Sequence, residues 1–170
     1  MGDKGVCIIG SAPSVLQDKK GKVIDSYGNV VRFNRAPVVG YEEFVGTKTS
    51  FRFANRMVWR NLKEDKREDG KILSTFKDEI IILDKDNNPF SEINFYRIFH
   101  KSCTYKFISR NNSVKKMLKN QLPHIKFNGK NPTGGMAMVS YFINEGYDVT
   151  IHGFGLDENI NKKVIPHFYE

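Results

Sequence analysis

Two stretches far apart in the chain, Gly21 to Arg52 and Asn131 to Gly155, each read as a β-rich run joined to a turn that exposes its backbone. Asn29 to Phe33 alternates and is rich in β-formers, so it is expected as a strand that delivers Asn34 at its carboxyl end. Ligands of open α/β sheets sit outside the carboxyl ends of strands, which gives Asn34 a mechanical reason to touch one. Asparagine is also a common turn residue, and Asn34 could do no more than turn the chain ahead of Ala36 and Pro37. Both readings stand at this point.

In the second stretch, Pro132 to Gly135 has the composition of a loop that opens a helix. Thr133 can cap it, and two glycines let backbone N–H groups approach an anion closely. Met136 to Asn144 is apolar on nearly every side, which predicts a buried helix ended by Glu145 and Gly146. Asp148 to His152 then reads as a short strand that stops at Gly153, Phe154 and Gly155. A helix amino terminus beside a strand with a glycine-rich end is half of a nucleotide pocket, though a Thr-Gly-Gly turn taken singly is more often only structural.

Further strands are expected at Val6 to Gly10, Thr49 to Phe53, Glu79 to Leu83 and Thr104 to Ile108, with helices near Met57 to Lys63, Ser113 to Gln121 and Gly134 to Asn144. Such alternation predicts an α/β fold, a mostly parallel sheet flanked by helices. The 170 residues suffice for one substantial core, and no proline- or serine-rich linker divides them, so residues 1–170 are expected as a single domain. The net charge of +8 raises nucleic acid and membranes as partners. Neither is favoured: Lys63 to Lys71 mixes signs, Lys115, Lys116 and Lys119 line one face of a short helix, and no RNA-binding signature is present. An anionic ligand suits the same positive balance.

The strings CIIGSAPS, GKVID, RFNRAP and VGTKT, in that order, resemble the large sialyl motif of the eukaryotic-type sialyltransferases, family 29 of the glycosyltransferases. Pro132 to Gly135 with His152 to Gly155 resembles the family's small motif, and His167, Phe168, Tyr169 and Glu170 resemble its HYYE motif. About residues 56 to 130 are not covered. The resemblance implies a Rossmann-like fold of variant GT-A type. It also implies transfer of sialic acid from CMP-sialic acid to a glycan hydroxyl, with inversion and no required metal. No other cofactor is implied. The one Asp-x-Asp pair, Asp84 and Asp86, lies in the stretch the motifs leave uncovered, and a CMP donor leaves with a single phosphate that helix and backbone dipoles can stabilise. A CMP-Kdo donor, or a remnant that binds CMP or a glycan without turnover, are the alternatives.

Carried over from the family, Gly10 and Ser11 match its donor-binding Gly-Asn turn, with Ser11 in place of the Asn. Asn34 matches the Asn at the donor phosphate or ribose, Thr133, Gly134 and Gly135 the Ser-Thr-Gly segment at the nucleotide, and Phe154 with Gly155 the GFG turn beside it. His167 matches the histidine near the donor phosphate, where it would assist departure of CMP. His152 replaces a Tyr and either contacts donor or holds a structural hydrogen bond at a strand end. Tyr169 and Glu170 are expected to position His167 or the acceptor, by analogy only. His100 and His124, without spaced partners, read as surface or packing residues.

Two departures follow. The family joins its large and small motifs by a disulfide, but Tyr147 occupies one position here and Cys7 lies one residue from the other, so Cys7 and Cys103 are expected as buried thiols. The family's His-x4-Glu motif, which supplies the general base, lies beyond the HYYE segment, and this sequence stops at Glu170. A fragment truncated at its carboxyl end is the favoured expectation, ahead of His167 as base or of a donor-binding protein without efficient turnover. No apolar run approaches the roughly 20 residues of a membrane span. The sequence as written is therefore expected to be soluble and cytoplasmic, or Golgi-located if an amino-terminal anchor precedes it.

Overall fold

The computed structural model describes residues 4–55, 80–84, 104–108, 113–128 and 132–155. Within them six strands form one sheet: β1 (Gly5–Ile9), β2 (Asn29–Phe33), β3 (Phe51–Ala54), β4 (Ile80–Asp84), β5 (Thr104–Ile108) and β6 (Asp148–His152). The order is β5-β4-β3-β2-β1-β6, and every paired neighbour is parallel. The chain steps outward from β1 to β5 and then returns to place β6 on the free side of β1. That reversal makes the carboxyl ends of β1 and β6 the switch point of the sheet, where ligands of doubly wound folds bind.

The inner strands β1, β2 and β3 are covered on both faces and buried in nearly every position, whereas the edge strand β6 is exposed at Asp148, Thr150 and Ile151. On one face Val6, Ile8, Val31, Phe33, Phe51, Phe53 and Ile82 pack against Val114, Leu118, Ala137, Met138 and Phe142 of the carboxyl-terminal helices. On the other, Cys7, Ile9 and Val30 meet Val15, Ile24 and Val45. The helices of the first face are α3 (Lys115–Gln121) and α4 (Gly134–Asn144). Ser140 Oγ donates to Gln121 Oε1 at 2.9 Å, and Gln121 Nε2 donates to the Ser140 carbonyl at 3.1 Å, which locks the two helices together.

The ends of α4 follow from its sequence. Thr133 Oγ1 accepts the Met136 N–H at 3.2 Å, the expected amino-terminal cap. At the other end Gly146 adopts φ +79°, the Tyr147 N–H reaches the Phe142 carbonyl at 3.0 Å, and the Gly146 N–H reaches Ile143 at 3.0 Å. This is a Schellman ending, and its hydrophobic contact is the Phe142–Tyr147 ring pair at 5.3 Å. One expectation is corrected. Met136 and Ile143 are 41% and 47% exposed, so α4 is apolar all round but buried on one side only.

The strand boundaries expected from sequence match β2, β5 and β6 and shift by one or two residues elsewhere. Three short elements were not expected: a 3₁₀ turn at Pro13–Leu16, α1 (Gly21–Asp25) and α2 (Glu42–Val45). None spans enough residues to show a helical period, and none has a side-chain cap. Their existence is tertiary: a Cβ on Gly21 would sit 2.0 Å from the Glu42 carbonyl oxygen, so α1 and α2 touch backbone to backbone. The expected helix Met57 to Lys63, as well as His100 and Cys103, lies outside the described residues.

Candidate functional site

The strings GKVID, RFNRAP and VGTKT meet in one brace behind the sheet's carboxyl edge. Arg32 is buried within β2, where a guanidinium needs several acceptors to offset its lost hydration. Its Nη2 donates to the carbonyls of Val45 at 2.7 Å, Lys48 at 3.0 Å and Gly46 at 3.1 Å, and its Nε to Thr49 Oγ1 at 2.9 Å. The Asp25 carboxylate holds the other side of the same loop. It accepts the backbone N–H groups of Thr47 and Lys48 and the Thr47 hydroxyl, all within 2.9 Å. Burial pushes the Asp25 pKa up, but those hydrogen bonds with the nearby Arg32 charge outweigh it and leave it below the usual value. These residues shape the loop; none of them is among the expected ligand contacts.

Arg32 lies directly opposite Arg52 of β3, which is also buried. Arg52 Nη1 donates to the carbonyls of Asn34 at 3.1 Å and Ala36 at 3.3 Å. Asn34 itself turns the chain, as one of its two readings required: φ is +50°, and the Ala36 N–H closes back on the Phe33 carbonyl at 3.0 Å. Its N–H donates to the Phe53 carbonyl at 2.7 Å, and its Oδ1 accepts the Asn55 N–H at 3.0 Å. That last bond fixes the amide orientation, since only the oxygen can accept. Asn34 therefore presents the side-chain Nδ2, a pair of N–H donors, as the group these bonds leave over.

The second stretch converges on the same edge. A Cβ on Gly134 would lie 2.7 Å from the ring of Phe53, the residue whose carbonyl holds Asn34, and a Cβ on Gly135 would lie 2.5 Å from the Phe154 ring. Phe33 packs edge-on against both rings, with centroids at 5.9 Å and 6.2 Å. The two glycines are thus required by close helix–sheet packing, and the start of α4 is seated over the ends of β2 and β3. The Phe154 ring is part of that seat, while Gly155 behind it takes φ +55°.

At the switch point, the Gly10 N–H donates to the His152 carbonyl at 2.7 Å and the Ala12 N–H to that of Gly153 at 3.0 Å, with Ser11 between them. A Cβ on Gly10 would be 2.2 Å from the Gly153 carbonyl oxygen, so only glycine allows this contact. Gly10, Ser11, Asn34, Thr133, Gly134, Gly135, Phe154 and Gly155 accordingly share one edge of the sheet. His152 pairs with Ile9 and shares its side of the sheet, beside the 3₁₀ turn. Its Nε2 is buried and has no hydrogen-bond partner among the described residues. Burial and the Lys20 charge hold its pKa below 6.5, against the opposing pull of Asp18 and a hydrogen bond with the Val15 backbone. His167, Tyr169 and Glu170 lie outside the described residues.

Cys7 is a buried free thiol whose pKa burial pushes up to about 11, and His124 is exposed. Among the described residues no three His, Cys, Asp or Glu side chains are grouped to hold a metal ion, and no helix is long and apolar enough to cross a membrane. Arg52 escaped the sequence reading, although a signal existed: an arginine amid the apolar run Phe51–Ala54 has to be buried and has to find acceptors.

Comparison with known proteins gives the family and the fold. The family model described as glycosyltransferase family 29 (sialyltransferase) matches residues 5–170. The CMP-N-acetylneuraminate-beta-galactosamide-alpha-2,3-sialyltransferase 1 of Gallus gallus is 26% identical over 168 residues, which cover 96% of this chain and 46% of that protein. The beta-galactoside alpha-2,6-sialyltransferase 2 of Homo sapiens is 27% identical over 167 residues, 98% of this chain and 27% of its own. The chain thus spans less than half the length of these relatives. A crystal structure of a mammalian sialyltransferase superposes with a TM-score of 0.63 at 24% identity, over 97% of this chain and 58% of that one, and shares the fold. By the match of its family model along nearly its whole length, the chain belongs to glycosyltransferase family 29, the sialyltransferases.

Proposed function

We propose that this chain forms the CMP-sugar-binding domain of an inverting, metal-independent transferase that moves sialic acid from CMP-sialic acid to a glycan hydroxyl. The observation that carries this reading is the meeting of two remote segments, the Asn34 turn and the start of α4, at the carboxyl edge of a parallel sheet beside its switch point. The cytidine monophosphate would lie across the ends of β1, β2 and β6, with Gly10, Ser11, Phe154 and Gly155 lining its bed. Thr133, Gly134 and Gly135 open an eleven-residue helix whose amino-terminal dipole and unpaired N–H groups favour a phosphate. Asn34 Nδ2 adds fixed donors to a phosphate or ribose oxygen. Such preorganised donors are worth more as the leaving group gains charge, and so lower the barrier to departure of CMP. His167 would protonate or neutralise that phosphate, Tyr169 and Glu170 would position His167 or the acceptor, and residues 1–170 act as one domain.

Isothermal titration with CMP tests the site: a folded sample that shows no binding at millimolar nucleotide would remove it. Incubation with CMP-sialic acid and with CMP-Kdo, with and without a galactose-terminated acceptor, separates transferase from non-catalytic binder and one donor from the other.

A further inference from the structure

We propose that Arg52 is a positioning residue for donor binding: by clamping the carbonyls of Asn34 and Ala36, its guanidinium holds Asn34 in the turn from which Nδ2 meets the nucleotide. The inference rests on the reading of Asn34 as a donor contact and adds the residue that makes that contact possible.

The argument begins with the cost of the turn. A side-chain-bearing residue at φ +50° is disfavoured by about 1–2 kcal/mol, less for asparagine, and persists where its surroundings over-determine it. Three bonds do so here, and all come from β3 or the residue just after it: the Phe53 carbonyl, the Arg52 guanidinium and the Asn55 N–H. The first and last also serve strand pairing and chain direction. The guanidinium alone grips both ends of the turn, Asn34 and Ala36, with one nitrogen. A lysine at this position would keep the charge but carry it on a flexible stem that ends about one bond short of Nη1. Arg52 is buried, so it supports the turn from behind and does not itself reach the open edge.

A double-mutant cycle on CMP affinity tests this, with each variant confirmed as folded by its melting transition. Asn34→Ala should weaken CMP by roughly 10-fold or more, the loss expected of a hydrogen bond to a charged group. Arg52→Lys should weaken it by about 5-fold in the wild-type background and by less than about 2-fold in the Asn34→Ala background, because its effect passes through Asn34. If Asn34→Ala weakens CMP while Arg52→Lys leaves it unchanged, or acts by the same factor in both backgrounds, the positioning role is wrong and the donor site survives. If Asn34→Ala has no effect, the donor contact and the positioning role fall together. Should Arg52→Lys not fold, Arg52→Gln goes through the same cycle. The wild-type protein gives an independent reading by nuclear magnetic resonance: CMP should shift the Asn34 Nδ2 protons strongly, and direct hydrogen-bond coupling from the phosphorus to Arg52 would overturn the proposal.

Discussion

At the scale of single residues, burial has to be matched by partners, and the arginines show it. Arg32 has four acceptors from the loop Val45–Thr49, so its removal strands several carbonyls and leaves a void in the sheet's second face. Arg32→Met should lower unfolding free energy by on the order of 3 kcal/mol in a urea titration. Two titrations have computable signs. Asp25 ionises more readily folded than unfolded, so its contribution is fully present above the unfolded value of 3.8 and is lost as pH falls through the lower folded value. His152 binds its proton less readily folded than unfolded. Its neutral form costs nothing above 6.5, and stability falls as pH drops from there towards the depressed folded value. Replacing His152 with Gln should flatten the fall in stability as pH drops below 6.5, measured by melts across a pH series.

At the scale of elements, α4 is the piece on which both packing and the proposed chemistry depend. Its first residues are glycines because two phenylalanine rings occupy the space a Cβ would need. Gly135→Ala should cost about 1–3 kcal/mol by overpacking against Phe154. It should also weaken CMP, whereas Thr133→Ala, which removes the cap, should cost about 1 kcal/mol of stability. Calorimetric melts of the two variants check the order. The element boundaries were partly legible beforehand. The α4 sequence ran from a capping Thr133 to a terminating Gly146, and both signals acted as their chemistry dictates. Helices α1 and α2, four or five residues each, carried no periodic signal because only their mutual contact at Gly21 makes them helical.

For the whole molecule, the order β5-β4-β3-β2-β1-β6 sets one switch point, and a nucleotide bound there as proposed would tie the two sides of the sheet's carboxyl edge together. CMP at about 100 times its dissociation constant should therefore stabilise the fold by about 2.7 kcal/mol, a rise in melting temperature of roughly 5–10 °C for a chain of this size. Little or no rise at saturating CMP would contradict the site.

By itself the sequence determined the family through its motif strings, and the parallel α/β class and most of the residues gathered at the edge through β-rich runs, glycine turns and capping, which are local properties written in consecutive letters. The tertiary structure decided which groups the bracing residues meet. Arg32, Asp25 and the two glycines of α4 proved to be packing and bracing groups, and Arg52 emerged as the support of Asn34. Those roles depend on which groups meet across the sheet, and hydrogen-bond partners many residues apart leave no periodic trace along the chain.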